Sequence, residues 1–373
     1  MPEPDWAGGR PLTCRGHRGL RAISLLAVSL AMLVSLTWIA DAKAAPPSMR
    51  DVVLVGNAAS GTVTFLDGHA PWTNLGYINV TPDPVSPTQQ QQYDFFNSQE
   101  GGVRAVDDAI ASPDGSQLIV SATLAMDAQV LDTGTGAVVA TFPTGTFPHQ
   151  NDYSADGRYI MNESIGNVAL PQSMEAAKGL RQLTVVDAHT FQVVHVCQLQ
   201  HGLRPTVFLP NGIAYMELSY LNGFVVFDTN TCQILRTINQ PFANGGDQLS
   251  PDQYPLNSAH HGMALSGDGT KLCDVGTIDN YVAVVSTASL ADNLPISQDT
   301  INVGRKPYWG QTSVDGNYCF VSNSDDNDVW VVQYTPAAAI THVNVGAFPQ
   351  RERIAVVPNS VVAKLSPPSP GVG

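Results

Sequence analysis

Residues 107–142 read "DDAIASPDGSQLIVSATLAMDAQVLDTGTGAVVATF", from Asp107 to Phe142. Four apolar or β-branched runs are punctuated by an Asp-Gly pair at Asp114-Gly115, a polar stretch, and a second turn after Asp132. Asp-Gly pairs favour tight hairpins, because both residues tolerate backbone conformations that other residues avoid. The stretch therefore predicts four antiparallel strands connected in series.

The same pattern recurs along the chain, which decides the fold. It returns as "HQNDYSADGRYIMNES" from His149, continued after an insertion by "QLTVVDAHTFQVVHVCQL". Further copies are "RPTVFLPNGIAYMELSYLNGFVVFDTNTCQILRTI" from Arg204, "HGMALSGDGTKLCDVGTIDNYVAVVSTA" from His261 and "YWGQTSVDGNYCFVSNSDDNDVWVVQY" from Tyr308. Turn pairs mark each copy: Asp156-Gly157, Asn211-Gly212, Asp268-Gly269 and Asp315-Gly316. Four strands per unit at this spacing predict an all-β chain folded as a single β-propeller. "DVVLVGNAASGTVTFLDG", from Asp51, lacks a first strand, and "RERIAVVPN", from Arg351, is a first strand with nothing after it. Pairing them closes the ring and removes the free edges of an open sheet. Six blades are counted, and a seventh is allowed if one copy is degenerate.

Composition agrees. The 373 residues hold 32 Gly and 26 Pro against only 13% charged residues, which suits a turn-rich β protein. Arg15, Arg18 and Arg21 precede an apolar run from Ile23 to Ala40, followed by "ADAKAAPP". This three-part pattern predicts a secretory signal peptide over residues 1–44, with an uncleaved anchor as the alternative. The expected organisation is then a propeller over 45–358 and a disordered tail over 359–373, with no membrane span after cleavage. Removing residues 1–44 takes away five basic and three acidic residues and leaves a net charge of −16. Such a surface repels phosphate backbones and excludes nucleic acid as the expected partner.

Four cysteines remain after residue 44. In an exported chain an even count permits disulfides. Cys197 with Cys232 is a candidate bridge, whereas Cys273 and Cys319 fall in equivalent strands and are expected to be buried thiols. No CxxC or recognised Cys–His zinc spacing occurs, so a zinc cluster is not expected.

"VLVGNAASGTVTFLD", "SPDGSQLIVSATLAMDAQVLDTGTG", "LNGFVVFDTNTCQILRTI" and "VGRKPYWGQTSVDGNYCFVSNSDDNDVWVV" resemble the YVTN-type propellers of the YncE-like group. The resemblance spans nearly all of residues 51–358. It implies an exported bacterial protein and identifies architecture rather than activity, because propellers host many unrelated functions. That family usually has seven blades, one more than counted here.

Aligning the repeats on their Asp-Gly or Asn-Gly turn places Asp107, His149, Arg204, His261 and Tyr308 seven residues before it. The split blade, aligned on Asn359, contributes Glu352. Each residue introduces an innermost strand, so the set is expected to ring one mouth of the central channel. His260 and His261 point to opposite faces of an extended strand. His261 therefore pairs with His149, from a blade separated by one other. With Asp107 or Glu352 they form a candidate His/carboxylate set for one divalent transition metal. Without a metal, either histidine is a candidate catalytic base, with Arg204 steadying an anion. Tyr308 and Trp309 would form an amphipathic binding wall. Three roles stay open: metal or catalytic chemistry, binding of a small molecule or partner protein by a monomer, and solvated lining. By fold-level analogy the enzyme reading implies a lyase or lactonase, and a third reading is non-covalent haem on His149 or His261. At a wet mouth, substituting either histidine is expected to leave stability unchanged. No G-x-S-x-G, P-loop or dinucleotide fingerprint occurs.

Overall fold

The computed structural model describes residues 48–79, 108–122, 126–291 and 294–368. The expected signal peptide over 1–44 and the loop "TPDPVSPTQQQQYDFFNSQEGG" lie outside these residues.

The described residues form six four-stranded antiparallel sheets, each with its strands in sequential order except the split one. Blades 1 to 5 cover 109–143, 148–198, 203–239, 263–302 and 307–344, and blade 6 joins 349–358 to 49–79. In blade 6, Met49–Asn57 pairs with Pro349–Pro358, with Val52 opposite Ala355. The terminal strands thus close the ring. Gly115, Gly157, Gly212, Gly269 and Gly316 all take positive φ at the five expected turns. In four of these turns the Asp carboxylate accepts the backbone N–H two residues on. The Ser112 and Ser266 hydroxyls first, and then these N–H donors, hold the Asp114 and Asp268 carboxyls down to about 2.

Strand alternation fills the interfaces between blades. Along Tyr281–Ser286, Tyr281, Ala283 and Val285 pack toward blade 3 beside Phe224 and Tyr215. Val282 and Val284 pack toward blade 5 beside Val321 and Val332. Both faces are buried, so these strands are continuously apolar. Cys273 and Cys319 meet across that second interface and are disulfide-bonded, which corrects the expectation of free thiols. They face each other because the odd face of one second strand packs on the even face of the next. Cys197 and Cys232 form the expected bridge between blades 2 and 3. Two disulfides point to folding in an oxidising compartment. No helix among the described residues is long and apolar enough to cross a membrane.

Of the segment expected as a disordered tail, residues 359–368 are among those described. A helical turn, Asn359–Val362, follows the last strand, and Ser366 bridges to Tyr77.

Candidate central-channel site

The first strands of the six blades surround the channel: Ala109–Ala111, Pro148–Tyr153, Leu203–Phe208, Met263–Leu265, Pro307–Thr312 and Pro349–Pro358. Four of them start with a bulge. The ladder skips His149 between Pro148 and Gln150, Tyr308 between Pro307 and Trp309, and both Arg204 and Pro205 in blade 3. In blade 6 the irregularity lies between Pro349 and Glu352. A bulge frees a residue from the ladder and redirects its side chain.

The blade 6 register corrects one expected site residue. Pro349 pairs with Asn57 and Glu352 with Val55, so Gln350 takes the place that His149 and Tyr308 hold in their blades. Glu352 therefore lies two residues further on and faces between blades. It is fully buried, and neither carboxylate oxygen has a hydrogen-bond partner. Burial pushes its pKa well above the carboxylate range, against a weaker pull from Arg353. The repeated G-x-x-P at Gly145–Pro148, Gly304–Pro307 and Gly346–Pro349 carries the correct frame.

His149 and His261 do come together, with their Nε2 atoms 3.1 Å apart and their rings near perpendicular. His261 Nδ1 donates to the Tyr308 carbonyl at 2.9 Å, and the Tyr308 ring stacks on His261 at 4.0 Å. A nitrogen donating to a carbonyl carries the proton, so a neutral His261 turns an acceptor Nε2 toward His149. Asp107 lies outside the described residues.

The pair does not sit at a wet mouth. His149 is 2% exposed and His261 1%. Two insertions, after the second strand of blade 2 and before blade 4, contribute Ile165, Val168 and Leu256 to an apolar cluster with Tyr308 and Phe147. Arg204 anchors this cover: its guanidinium donates to the Leu256 carbonyl and the Ser219 hydroxyl.

His260 points the other way, as expected. It is fully buried, with Nδ1 2.8 Å from Asp274 and Nε2 3.1 Å from Asn222. Glu217 lies close enough to complete a buried Glu/His/Asp group, and burial followed by the Asp274 charge drives its pKa well up. Here neighbours outside the group also supply partners: both Glu217 oxygens accept from the Gly262 N–H, and Asp274 accepts from Gln240.

First-strand residues of five blades, among them Gln150, Asp152, Trp309, Gln311 and Arg353 but neither histidine, line a cavity of about 230 Å³. Trp309 is 2% exposed, with the guanidinium groups of Arg351 and Arg353 at 4.3 and 5.0 Å from its ring. Its main chain crowds Gly262, where an added Cβ would fall within 2.8 Å of backbone. Asp152 is held at about 6, because burial outweighs the attraction of Arg353. Perturbed acids in clefts mark candidate sites. The turn-based frame missed Asp152, although strand alternation from Gln150 would have placed it on the channel face.

No family model matches the chain, and no curated protein matches it. Among solved structures, it is similar to a functionally unknown protein from Desulfotomaculum acetoxidans DSM 771, at 13% identity and a TM-score of 0.49, over 79% of this chain and 80% of that one. It is also similar to U3-55K at 12% identity and a TM-score of 0.48, over 64% of each chain.

Proposed function

We propose that the chain is an exported, YVTN-type propeller that binds a small ligand in its central channel, with one divalent first-row transition ion held by His149 and His261. The 3.1 Å separation of the two Nε2 atoms carries this reading. An ion about 2.05 Å from each nitrogen would subtend roughly 100°, close to tetrahedral. The Tyr308 carbonyl on His261 Nδ1 is the kind of outer contact that orients a ligating imidazole. Two ligands from the described residues leave further positions for water or a bound molecule. The channel cavity of about 230 Å³, which neither histidine lines, is smaller than the ~300–1,000 Å³ of most drug-sized sites, which favours a channel ligand of few atoms over haem. Asp152 and Arg353 would pair with such a ligand. Two disulfides and the N-terminal pattern support export.

The test is metal content of untagged protein made in the export compartment. About one equivalent, lost in His149→Gln and in His261→Gln with the fold retained, supports the site. Metal-free protein that takes up no ion on titration overturns it.

A further inference from the structure

A second cluster of ligand-type atoms lies far from the channel, beside the Cys197–Cys232 bridge. His195 and Cys197 sit two residues apart on strand Val193–Gln198 and so share one face. Cys232 comes from the turn between Gly223–Asp228 and Gln233–Asn239 of the next blade. His195 Nε2 lies 3.4 Å from the Cys197 sulfur and 3.2 Å from that of Cys232. The three atoms fall within one ion's reach. A groove of about 910 Å³, lined by His195, Tyr159, Asn211, Thr229 and Asn230 among others, opens beside them.

We propose that His195, Cys197 and Cys232 form a redox-gated site for a thiophilic d¹⁰ ion such as Zn²⁺, closed while the disulfide stands and opened by a dithiol reductant. A tetrahedral zinc with Zn–N about 2.05 Å and Zn–S about 2.3 Å needs N and S roughly 3.5 Å apart. His195 already meets that distance to both sulfurs within a few tenths of an ångström. Only the sulfurs must move apart, to about 3.8 Å, once their bond is broken. Cys232 lies in a turn and is partly exposed, whereas Cys197 is buried in a strand, so Cys232 supplies the movement.

The chemistry balances as a two-electron exchange. A thiolate of the dithiol attacks the Cys232 sulfur, the disulfide bond breaks, and Cys197 leaves as a thiolate. The second thiol of the reductant then attacks the mixed disulfide, releasing Cys232 and leaving the reductant as its own disulfide. Binding of the ion displaces the two protons that the free thiols would otherwise carry. His195 contributes Nε2 as a neutral imidazole. Three protein ligands leave a fourth position facing the groove, which is the arrangement of an exchangeable or reactive site rather than a sealed one. The site shares no residue with the channel pair, so it stands or falls independently of that reading.

Co²⁺ is the probe, because thiolate-to-cobalt charge transfer reports sulfur ligation and His149 and His261 cannot produce it. The oxidised full-length protein should show no such band. After reduction with a dithiol and removal of the reductant, one Co²⁺ per chain should give the band, and Zn²⁺ should erase it. His195→Ala should weaken binding by at least about ten-fold, and Cys232→Ser should remove the band. Equal binding by His195→Ala would overturn the site, since thiols alone, including those of Cys273 and Cys319, would then explain the signal. No band in reduced protein whose thiols have been counted would overturn it as well, as would thiols that resist the dithiol altogether. If reduction lowers Tm, Zn²⁺ should restore it in the wild type and not in His195→Ala, and equal restoration in both counts against the site.

Discussion

Arg353 donates to Asp108 at 2.5 Å across 245 residues of sequence, joining the first strand of blade 6 to the start of blade 1. Asp108 is almost fully buried, also accepts the Asn151 N–H, and has Arg351 3.8 Å away. It therefore balances one of the two guanidinium charges that flank Trp309, chiefly that of Arg353. The ring closes by pairing of the two innermost strands of blade 6 and by this ion pair to blade 1.

Removing one partner of a buried pair leaves a charge without compensation. Asp108→Asn should cost about 2 kcal/mol, below the usual range because Arg353 is a quarter exposed. Arg353→Lys should also destabilise, since an ammonium cannot both fork onto Asp108 and stack on the indole. Urea midpoints read both effects, and an unchanged midpoint in Asp108→Asn would refute this account of the closure.

Asp152 gives a signed pH dependence. Burial raises its pKa from the ordinary 3.8 to about 6, so the folded state holds the proton more tightly than the unfolded chain. Its contribution is fully present below about 4 and is lost as pH rises toward 6. Glu163, Glu217 and Glu352 are raised in the same direction by burial. Asp152→Asn should therefore flatten the fall in stability between about pH 4 and 6, which chemical denaturation across that range would detect.

Glu352 has no hydrogen-bond partner, so an apolar side chain of similar length removes a desolvation cost without orphaning a neighbour. Glu352→Met should raise the urea midpoint at pH 8 and change it less at pH 4.5, where the unfolded carboxyl is partly protonated. A lower midpoint at pH 8 would mean that this carboxyl does stabilising work.

Arg204 holds the cover over the histidines through the Leu256 carbonyl. Arg204→Met should expose segment 243–257 to limited proteolysis and make His261 accessible to imidazole-modifying reagents. Leu256→Ala should do the same at a cost of about 2–4 kcal/mol, since Leu256 is 5% exposed. Protection equal to the wild type in both variants would show that other contacts hold the cover.

The Cys273–Cys319 bridge closes a separation of 46 residues between two blades. Losing it in the Cys273→Ala, Cys319→Ala double variant should cost up to about 4 kcal/mol. Thiol titration of unfolded, unreduced protein should find neither sulfur free.

The earlier expectation that His149 and His261 tolerate substitution without cost does not hold for residues this deeply buried. Each replacement leaves a cavity or an unpaired polar group beneath Tyr308 and Leu256. This is why the metal test uses glutamine and requires proof of folding.

By itself the sequence determined the repeat, the turns and closure through the terminal strands, and it counted six blades while leaving a seventh open. These depend on local signals: Gly at positive φ after Asp or Asn, two-residue alternation, and incomplete units at the two ends. The same frame was enough to bring His149 and His261 together, because equivalent positions in a ring converge on its axis. Tertiary structure alone decided whether that meeting place is wet or covered, since Leu256, Ile165 and Val168 reach it from insertions that the repeat does not describe. It also moved Glu352 out of the ring in favour of Gln350, turned Arg204 into an anchor, and placed His195 beside Cys197 and Cys232. Each of these outcomes rests on a bulge or on a contact between blades. A one-residue offset or a neighbour distant in sequence selects the face there, and a linear pattern records neither.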